Sequence, residues 1–535
     1  MEKKFISLLY PDEEALRAAE SKDNLPDISD TVCDELGLTE LFDMKTASLS
    51  EFFTLSEEVI LYRHEMMKDI LSVPEVLSTL REVHPILDDI MELRRLDNGT
   101  LTSADSYLYS ITEIELYVSC IEALLRGIVG VRDRLSSRAC LALADFVSEL
   151  SESEYYKNLT EKLGTLGDKV SDIKSITVGV NLDRELRPES AAVISVNGES
   201  FKSGKMLDKI LRLSFKNDSF TTIAELTPLL KGKSDNRREA LIGAFNTAIE
   251  DVFRSSVRGW RNTVAEYVLE NTDFLLRLLP EMEFVARAAE LTERLKERDG
   301  CGICYPRVAK TEDKSFAAVG LYNPRVALAI DERIVKNDLA FDKDAGIYVL
   351  TGPNRGGKSV ITVALGAAQA MFQLGLPVPA ESLTVSCVDG IFTHFPEGAL
   401  DTIDKGRLGE ECARLREIFD GATGDSMILL DESLSSTGAF EASYIAAEIL
   451  SAFAARGVRG IFSTHLHELA SAIPEINCRA RAAGGVLVDT LVAGIDEGER
   501  SFRIYRMKPD GKSYARDIAD KYGLSFDNLM NGEKK

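Results

Sequence analysis

Apolar residues recur at helical spacing through about the first 170 residues; between Glu57 and Leu71, Val59, Tyr62, Met66 and Ile70 fall on one face. Packed helices are predicted there. The pattern breaks between Ser175 and Asn197, where Ile176, Val178 and Val180, then Val193, Ile194 and Val196, flank the loop Asn181 to Pro188 and predict two short strands. Helical spacing returns from Asn236 to Leu279, with Leu241, Phe245, Ala248, Val252, Trp260, Val264 and Val268 on one stripe. This stripe reads as core, not as a cofactor box, and its length suits a lever. Pro280 is expected to interrupt it before a further helix. After Cys301 the texture changes to short β-rich runs alternating with helices. Ile347 to Thr351, Met427 to Leu430 and Val458 to Thr464 read as buried strands of an α/β domain that starts near residue 311.

Composition adds size and charge. The 535 residues, 45% of them hydrophobic, can supply several domains with cores. Acidic residues outnumber basic ones 87 to 63, a formal net charge of −24, so any nucleic-acid contact must be local. The segment Phe201 to Arg238 is the clearest exception: Lys202, Lys205, Lys209, Arg212, Lys216 and four further cations face only Asp208, Asp218, Glu225 and Asp235. The eight cysteines are scattered and read as reduced thiols. Cys301 and Cys304 form a Cys-x-x-Cys pair, but no second pair or nearby histidine completes a zinc site. No apolar run is long enough to cross a membrane and the N-terminus lacks a signal peptide, so a cytoplasmic location is expected.

The chemistry is concentrated after the texture change. Ile347 to Thr351 runs into Gly352-Pro353-Asn354-Arg355-Gly356-Gly357-Lys358-Ser359, and a good helix follows, the strand, loop and helix context of a phosphate-binding loop. Its glycines let backbone amides turn toward phosphate oxygens, Lys358 reaches the outer phosphates, and Ser359 offers a hydroxyl to Mg2+. Met427 to Glu432 is an apolar strand ending in two carboxylates. Asp431 takes the magnesium side, and Glu432 stands where a base activates water. Val458 to Thr464 delivers His465, a candidate sensor of the terminal phosphate; His467 packs or faces solvent.

Thr351-Gly352-Pro353-Asn354 with Gly356-Gly357-Lys358-Ser359 resembles the phosphate loop of MutS-family ATPases. Pro379-Ala380, Asp389 with Ile391-Phe392-Thr393, Gly406-Arg407, Asp431-Glu432 and Ser463-Thr464-His465 with Glu468-Leu469 are similar to that family's later motifs, in the same order. Upstream, Val59 to Glu65 looks like the start of the family's helical core and lever region, and Tyr322-Asn323-Pro324 like its entry to the ATPase domain. Lys512 to Ala515 through Gly523-Leu524 resembles its C-terminal helical dimer element. The resemblance implies a multidomain fold: a mainly helical core/lever region over 1–310 with a clamp at 175–238, an ABC-type α/β P-loop NTPase domain over 311–500, and a small C-terminal helical element over 501–535. It implies Mg-ATP held between the heads of a homodimer. Three features depart from the family. The chain begins almost at the lever, leaving no room for a mismatch-reading domain; Arg355 stands where an apolar residue is usual; and Gly406 to Glu411 lacks the Ser-Thr pair placed across the dimer.

The leading expectation is a MutS-like ATPase whose head closure moves levers on DNA, with Lys202, Lys205, Lys209, Arg212 and Lys216 touching phosphates. The alternative is an ABC-type mechanical ATPase acting on a protein partner, which the net charge of −24 favours.

Overall fold

The computed structural model describes residues 5–21, 25–96, 103–171, 175–182, 184–185, 188–197, 224–226, 267, 273–342, 345–396, 407–466, 468–496 and 499–507. The helices are α1 (Glu13–Glu20), α2 (Asp30–Glu35), α3 (Leu38–Phe42), α4 (Glu57–Ser72), α5 (Pro74–Leu96), α6 (Ser103–Gly127), α7 (Arg138–Glu152), α8 (Glu154–Ser171), α9 (Asp273–Glu297), α10 (Pro324–Ala329), α11 (Lys358–Gln373), α12 (Arg407–Gly421), α13 (Ala439–Arg456) and α14 (Leu469–Ala483). The strands are β1 (Ser175–Leu182), β2 (Pro188–Asn197), β3 (Ala224–Leu226), β4 (Arg307–Val308), β5 (Phe316–Leu321), β6 (Asn337–Ala340), β7 (Ile347–Thr351), β8 (Ser382–Val385), β9 (Ile391–His394), β10 (Met427–Asp431), β11 (Arg459–Ser463), β12 (Val488–Asp496) and β13 (Glu499–Arg506). The chain divides into two compact units, one of residues 1–77, 135–140 and 280–535, the other of residues 78–134 and 141–279.

In the second unit, helices bury aromatic pairs: Tyr117 meets Tyr267 edge-on at 5.5 Å and Phe146 meets Phe274 at 4.6 Å. β1 and β2 pair antiparallel, as the alternation between Ser175 and Asn197 predicts, but the strands reach further into the expected loop, with Asn181, Leu182 and Pro188 all in the ladder. Pro188 is tolerated because it opens its strand. β3 lies inside the basic segment, whose Lys202, Lys205, Lys209, Arg212 and Lys216 fall outside the described residues, as does nearly all of Asn236 to Leu279 before Asp273.

Pro280 does not interrupt a helix; it lies inside α9. Local propensity loses to packing, because Leu278, Leu279, Met282, Phe284 and Val285 on both sides of the proline are buried. Phe284 alone stacks on Phe42 and Phe52, with centroids 6.2 and 4.7 Å apart.

The first unit holds two sheets. One is four-stranded, ordered β4-β8-β5-β6, and it begins at Arg307, ahead of the α/β start expected near 311. The other is six-stranded, ordered β13-β12-β7-β11-β10-β9. Its β12, β7, β11, β10 and β9 run parallel and β13 closes one edge antiparallel. β7, β10 and β11 are buried at every residue, which is why β7 and β10 read as continuous apolar runs and not alternating ones. Ile347, Val349, Ile428, Leu430 and Phe462 form one core with Leu450 and Phe453 of α13. The 501–535 element expected to be helical starts with strand β13, and 508–535 lies outside the described residues.

The N-terminal segment of the same unit is tied in by buried charge. Arg63 of α4 donates from Nε to Leu9 O (3.2 Å) and from Nη1 to Phe52 O (2.5 Å) and Leu374 O (3.1 Å). Glu281 accepts from Ser7 Oγ (2.9 Å) and from the Leu8 amide (2.6 Å). Burial pushes its carboxyl up to about 7, against these hydrogen bonds and the Arg63 charge. An acid held above its ordinary pKa stabilises the fold fully below the unfolded value and loses that contribution as pH rises to the folded one. Stability should therefore fall by up to about 3 kcal/mol between pH 4.5 and 7. Urea midpoints across this range should decline in the wild type and stay flatter in Glu281→Gln; parallel slopes would remove Glu281 as the cause.

Candidate nucleotide site

Five buried residues of β7 end at Thr351, and the chain then leaves the sheet edge through a loop whose backbone only glycine fits at two points. Gly352 has φ 140°, and a Cβ on it would lie 2.7 Å from the Ala493 Cβ of β12. Gly357 has φ 92° and precedes α11 without a side-chain cap, so the first amides of that helix face the loop. Between them the Gly356 amide donates to Pro353 O at 3.1 Å and closes a turn. Asn354, Arg355 and Ser359 are exposed, Arg355 with a left-handed φ of 59°. An uncapped helix N-terminus behind a glycine-rich loop is a ready site for a phosphate.

The neighbouring strands end level with β7. Asp431 pairs with Ser463, and Ser463 with Leu350. Chain reversal after β10 is abrupt: Glu432 adopts φ 48° while its amide donates to Ser463 O at 2.8 Å. Asp431 is 5% exposed, and its Oδ1, like Ser463 Oγ, is buried without a hydrogen-bond partner. Such orphaned oxygens fit a divalent cation at this strand end.

Lys358, Glu432 and His465 meet in one chain of contacts. Lys358 Nζ lies 3.2 Å from Gly352 O, from Pro353 O and from His465 Nε2. His465 Nε2 is also 2.9 Å from Glu432 Oε1. One ring nitrogen cannot accept from an ammonium and donate to a carboxylate at once. Only one of these contacts is satisfied in any protonation state, so the arrangement is poised to change when a ligand draws Lys358 away. Burial pushes the Lys358 pKa below that of a free lysine, and the Glu432 and Asp431 charges oppose that shift. Behind Glu432, Ser433 Oγ and His394 Nδ1 are 2.8 Å apart in a buried pair.

The sequence reading found Lys358, Asp431, Glu432 and His465, which the fold gathers at one strand edge; Ser359 sits exposed on the first turn of α11. His467 lies outside the described residues. The reading missed a cavity of about 390 Å³ beside Gly357, lined chiefly by Val326, Ile330, Ile334, Val335, Val360 and Phe502. Its one sequence signal was Tyr322-Asn323-Pro324, where Asn323 Oδ1 caps α10 by accepting from the Arg325 and Val326 amides. Cys301 and Cys304 are free thiols, and burial pushes Cys304 up to about 11. No group of metal-binding side chains occurs among the described residues, and none of their helices is long and apolar enough to cross a membrane.

Two family models match the chain: MutS domain V over residues 348–484 and the MutS2 N-terminal domain over residues 56–298. The chain is 34% identical to DNA mismatch repair protein MutS 1 of Haloarcula marismortui, over 36% of this chain and 21% of that protein. It is 28% identical to Endonuclease MutS2 of Thermus thermophilus, over 50% of this chain and 36% of the relative. DNA mismatch repair protein MutS of Staphylococcus saprophyticus is 28% identical over 47% and 27% respectively. The matches thus span about a third or less of these relatives' own lengths.

Gly352→Ala should displace the loop or β12, since its Cβ would sit 2.7 Å from Ala493. A loss of roughly 1–3 kcal/mol is expected for a strained φ of this kind. Thermal denaturation measures it, and an unchanged midpoint would show that the loop relaxes freely.

Proposed function

Because the chain belongs to the MutS family, we propose that its site binds and hydrolyses ATP, and that the hydrolysis drives work on DNA in mismatch repair or recombination. One observation carries the hydrolytic reading: Lys358 at the head of α11, Glu432 at the end of β10 and His465 after β11 converge through contacts of 3.2 and 2.9 Å. Loop amides and the α11 N-terminus hold the phosphates. Lys358 exchanges Gly352 O and Pro353 O for the outer phosphate oxygens, which relieves the conflict at His465 Nε2. His465 then keeps its proton on Glu432 or turns to the terminal phosphate. Glu432 orients the attacking water and takes its proton as ADP leaves the new phosphate. Magnesium, when bound with ATP, neutralises phosphate charge, and Ser359 and Asp431 are the residues that would hold it. The cavity of about 390 Å³ beside Gly357 takes the base.

DNA is the proposed object of the cycle, held by backbone contacts from Lys202, Lys205, Lys209, Arg212 and Lys216. A homodimer through the ATPase domain, with residues 406–410 near the interface, is the proposed working form. A protein object is the second reading, favoured by the net charge of −24.

Glu432→Gln should retain ATP while turnover falls by about a hundredfold or more. Full steady-state hydrolysis in that variant would sink the base assignment. For the object of the cycle, binding to homoduplex, mismatched, branched and single-stranded DNA should weaken steeply with salt. Charge reversal at Lys202, Lys205 and Lys209 should weaken all forms alike. No binding to any form at low salt would favour the protein partner.

A further inference from the structure

We propose that His394 is a positioning residue for hydrolysis, holding Glu432 in place through Ser433; this rests on reading Glu432 as the base of the site. The segment that follows β10 gives it that task. Glu432 and Leu434 both adopt left-handed backbone, at φ 48° and 65°, so the chain is strained on either side of Ser433. The Glu432 amide is anchored on Ser463 O at 2.8 Å, and the Leu434 side chain is buried in the core under the six-stranded sheet. Between these two anchors Ser433 is held by its side chain, whose Oγ lies 2.8 Å from His394 Nδ1.

His394 is itself fixed by the sheet. It is the last residue of β9 and stands level with Leu430 in the parallel ladder with β10, so the reversal after β10 brings Ser433 back beside its ring. Both residues are buried, and a hydrogen bond shielded from water is costly to lose and keeps its geometry.

Helix α12 frames the pair from outside. Arg414 Nη2 donates to Thr393 O, next to His394, at 3.4 Å and to Glu35 Oε1 of α2 at 2.7 Å. One turn earlier, Glu411 Oε2 accepts from Ser436 Oγ at 2.7 Å, a further hold on the segment beyond Glu432. The strained reversal is thus gripped at Ser433 from β9 and at Ser436 from α12. At its head, Glu432 Oε1 lies 2.9 Å from His465 Nε2. A carboxylate that must orient water within one hydrogen bond tolerates little displacement, so a contact one residue away is felt in the rate of the chemical step.

Turnover and binding of Mg-ATP should be measured on the full chain for Ser433→Ala, His394→Leu, His394→Asn and the double variant Ser433→Ala/His394→Leu, each also in the Glu432→Gln background. Ser433→Ala and His394→Leu should each lower kcat about tenfold with KM little altered. The double variant should lose no more than the worse single one, because both remove the same contact. His394→Asn, which keeps a polar partner near the Nδ1 position, should recover most of the lost turnover. In Glu432→Gln none of these changes should lower the residual single-turnover rate further. Should His394→Leu fail to fold, Ser433→Ala and His394→Asn decide alone. Unchanged kcat in the variants that fold overturns the positioning role while the base assignment stands. Losses that add in the double variant, or that persist in Glu432→Gln, overturn it too, since His394 then does not act through Glu432. Full turnover in Glu432→Gln itself removes the base, and the positioning role with it.

Discussion

Lys358 is buried, 4% exposed, and its amine sits among groups of opposing effect. Burial alone would favour the neutral amine; Glu432 and Asp431 oppose it. Those acids stand close only because β7, β11 and β10 end level, with Ser463 paired to Leu350 on one side and to Asp431 on the other. All three strands are buried on both faces, so hydrophobic burial does little to choose their register. The polar ends choose it. A slip of one residue would carry the Asp431 and Glu432 carboxylates away from Lys358.

The far end of α11 is held by a second buried charge. Arg63 Nη1 donates to Leu374 O at its C-cap, and Thr54 and Gln373 pair through Thr54 N to Gln373 O at 3.0 Å. A cation at a helix C-terminus complements the helix dipole. Arg63 lies in the stretch Val59 to Glu65 that first suggested the helical core region, so that stretch reaches α11 directly. Arg63 and Glu281 also favour one another's charge, which links α4 to α9 and to the Ser7–Leu8 turn. The Gly352–Gly357 loop is therefore the front of a helix anchored at its back to the N-terminal segment.

The legible parts were those where chemistry and local pattern coincide. Continuous apolar runs announced β7 and β10, and the carboxylates of Asp431 and Glu432 close the second run. Pro280 misled because a local backbone rule was overridden by buried neighbours on both sides. The strand ends at Asn181 and Pro188 were placed too early because polar and proline residues are compatible with a strand's rim. Asn337 and Phe502 carried no signal at all: they lie 165 residues apart, and their contact arises only when β6 and β13 come together. Lys202, Lys205, Lys209, Arg212 and Lys216 fall outside the described residues.

Backbone strain gives an independent measure of where the molecule is built for chemistry. Among the described residues, six that are not glycine have positive φ: Asp43, Lys314, Arg355, Glu432, Leu434 and Phe502. Three belong to the proposed site, on three separate segments: Arg355 in the Gly352–Gly357 loop, Glu432 after β10, and Phe502 in β13, lining the cavity. Conformations that cost about 1–3 kcal/mol each persist only where their surroundings over-determine them. Here the surroundings are identifiable: Ser463 O holds the Glu432 amide at 2.8 Å, and Asn337 holds the backbone around Phe502. A fold serving packing alone would have no reason to gather such strain around one helix terminus, whereas a site that must present groups at fixed positions does.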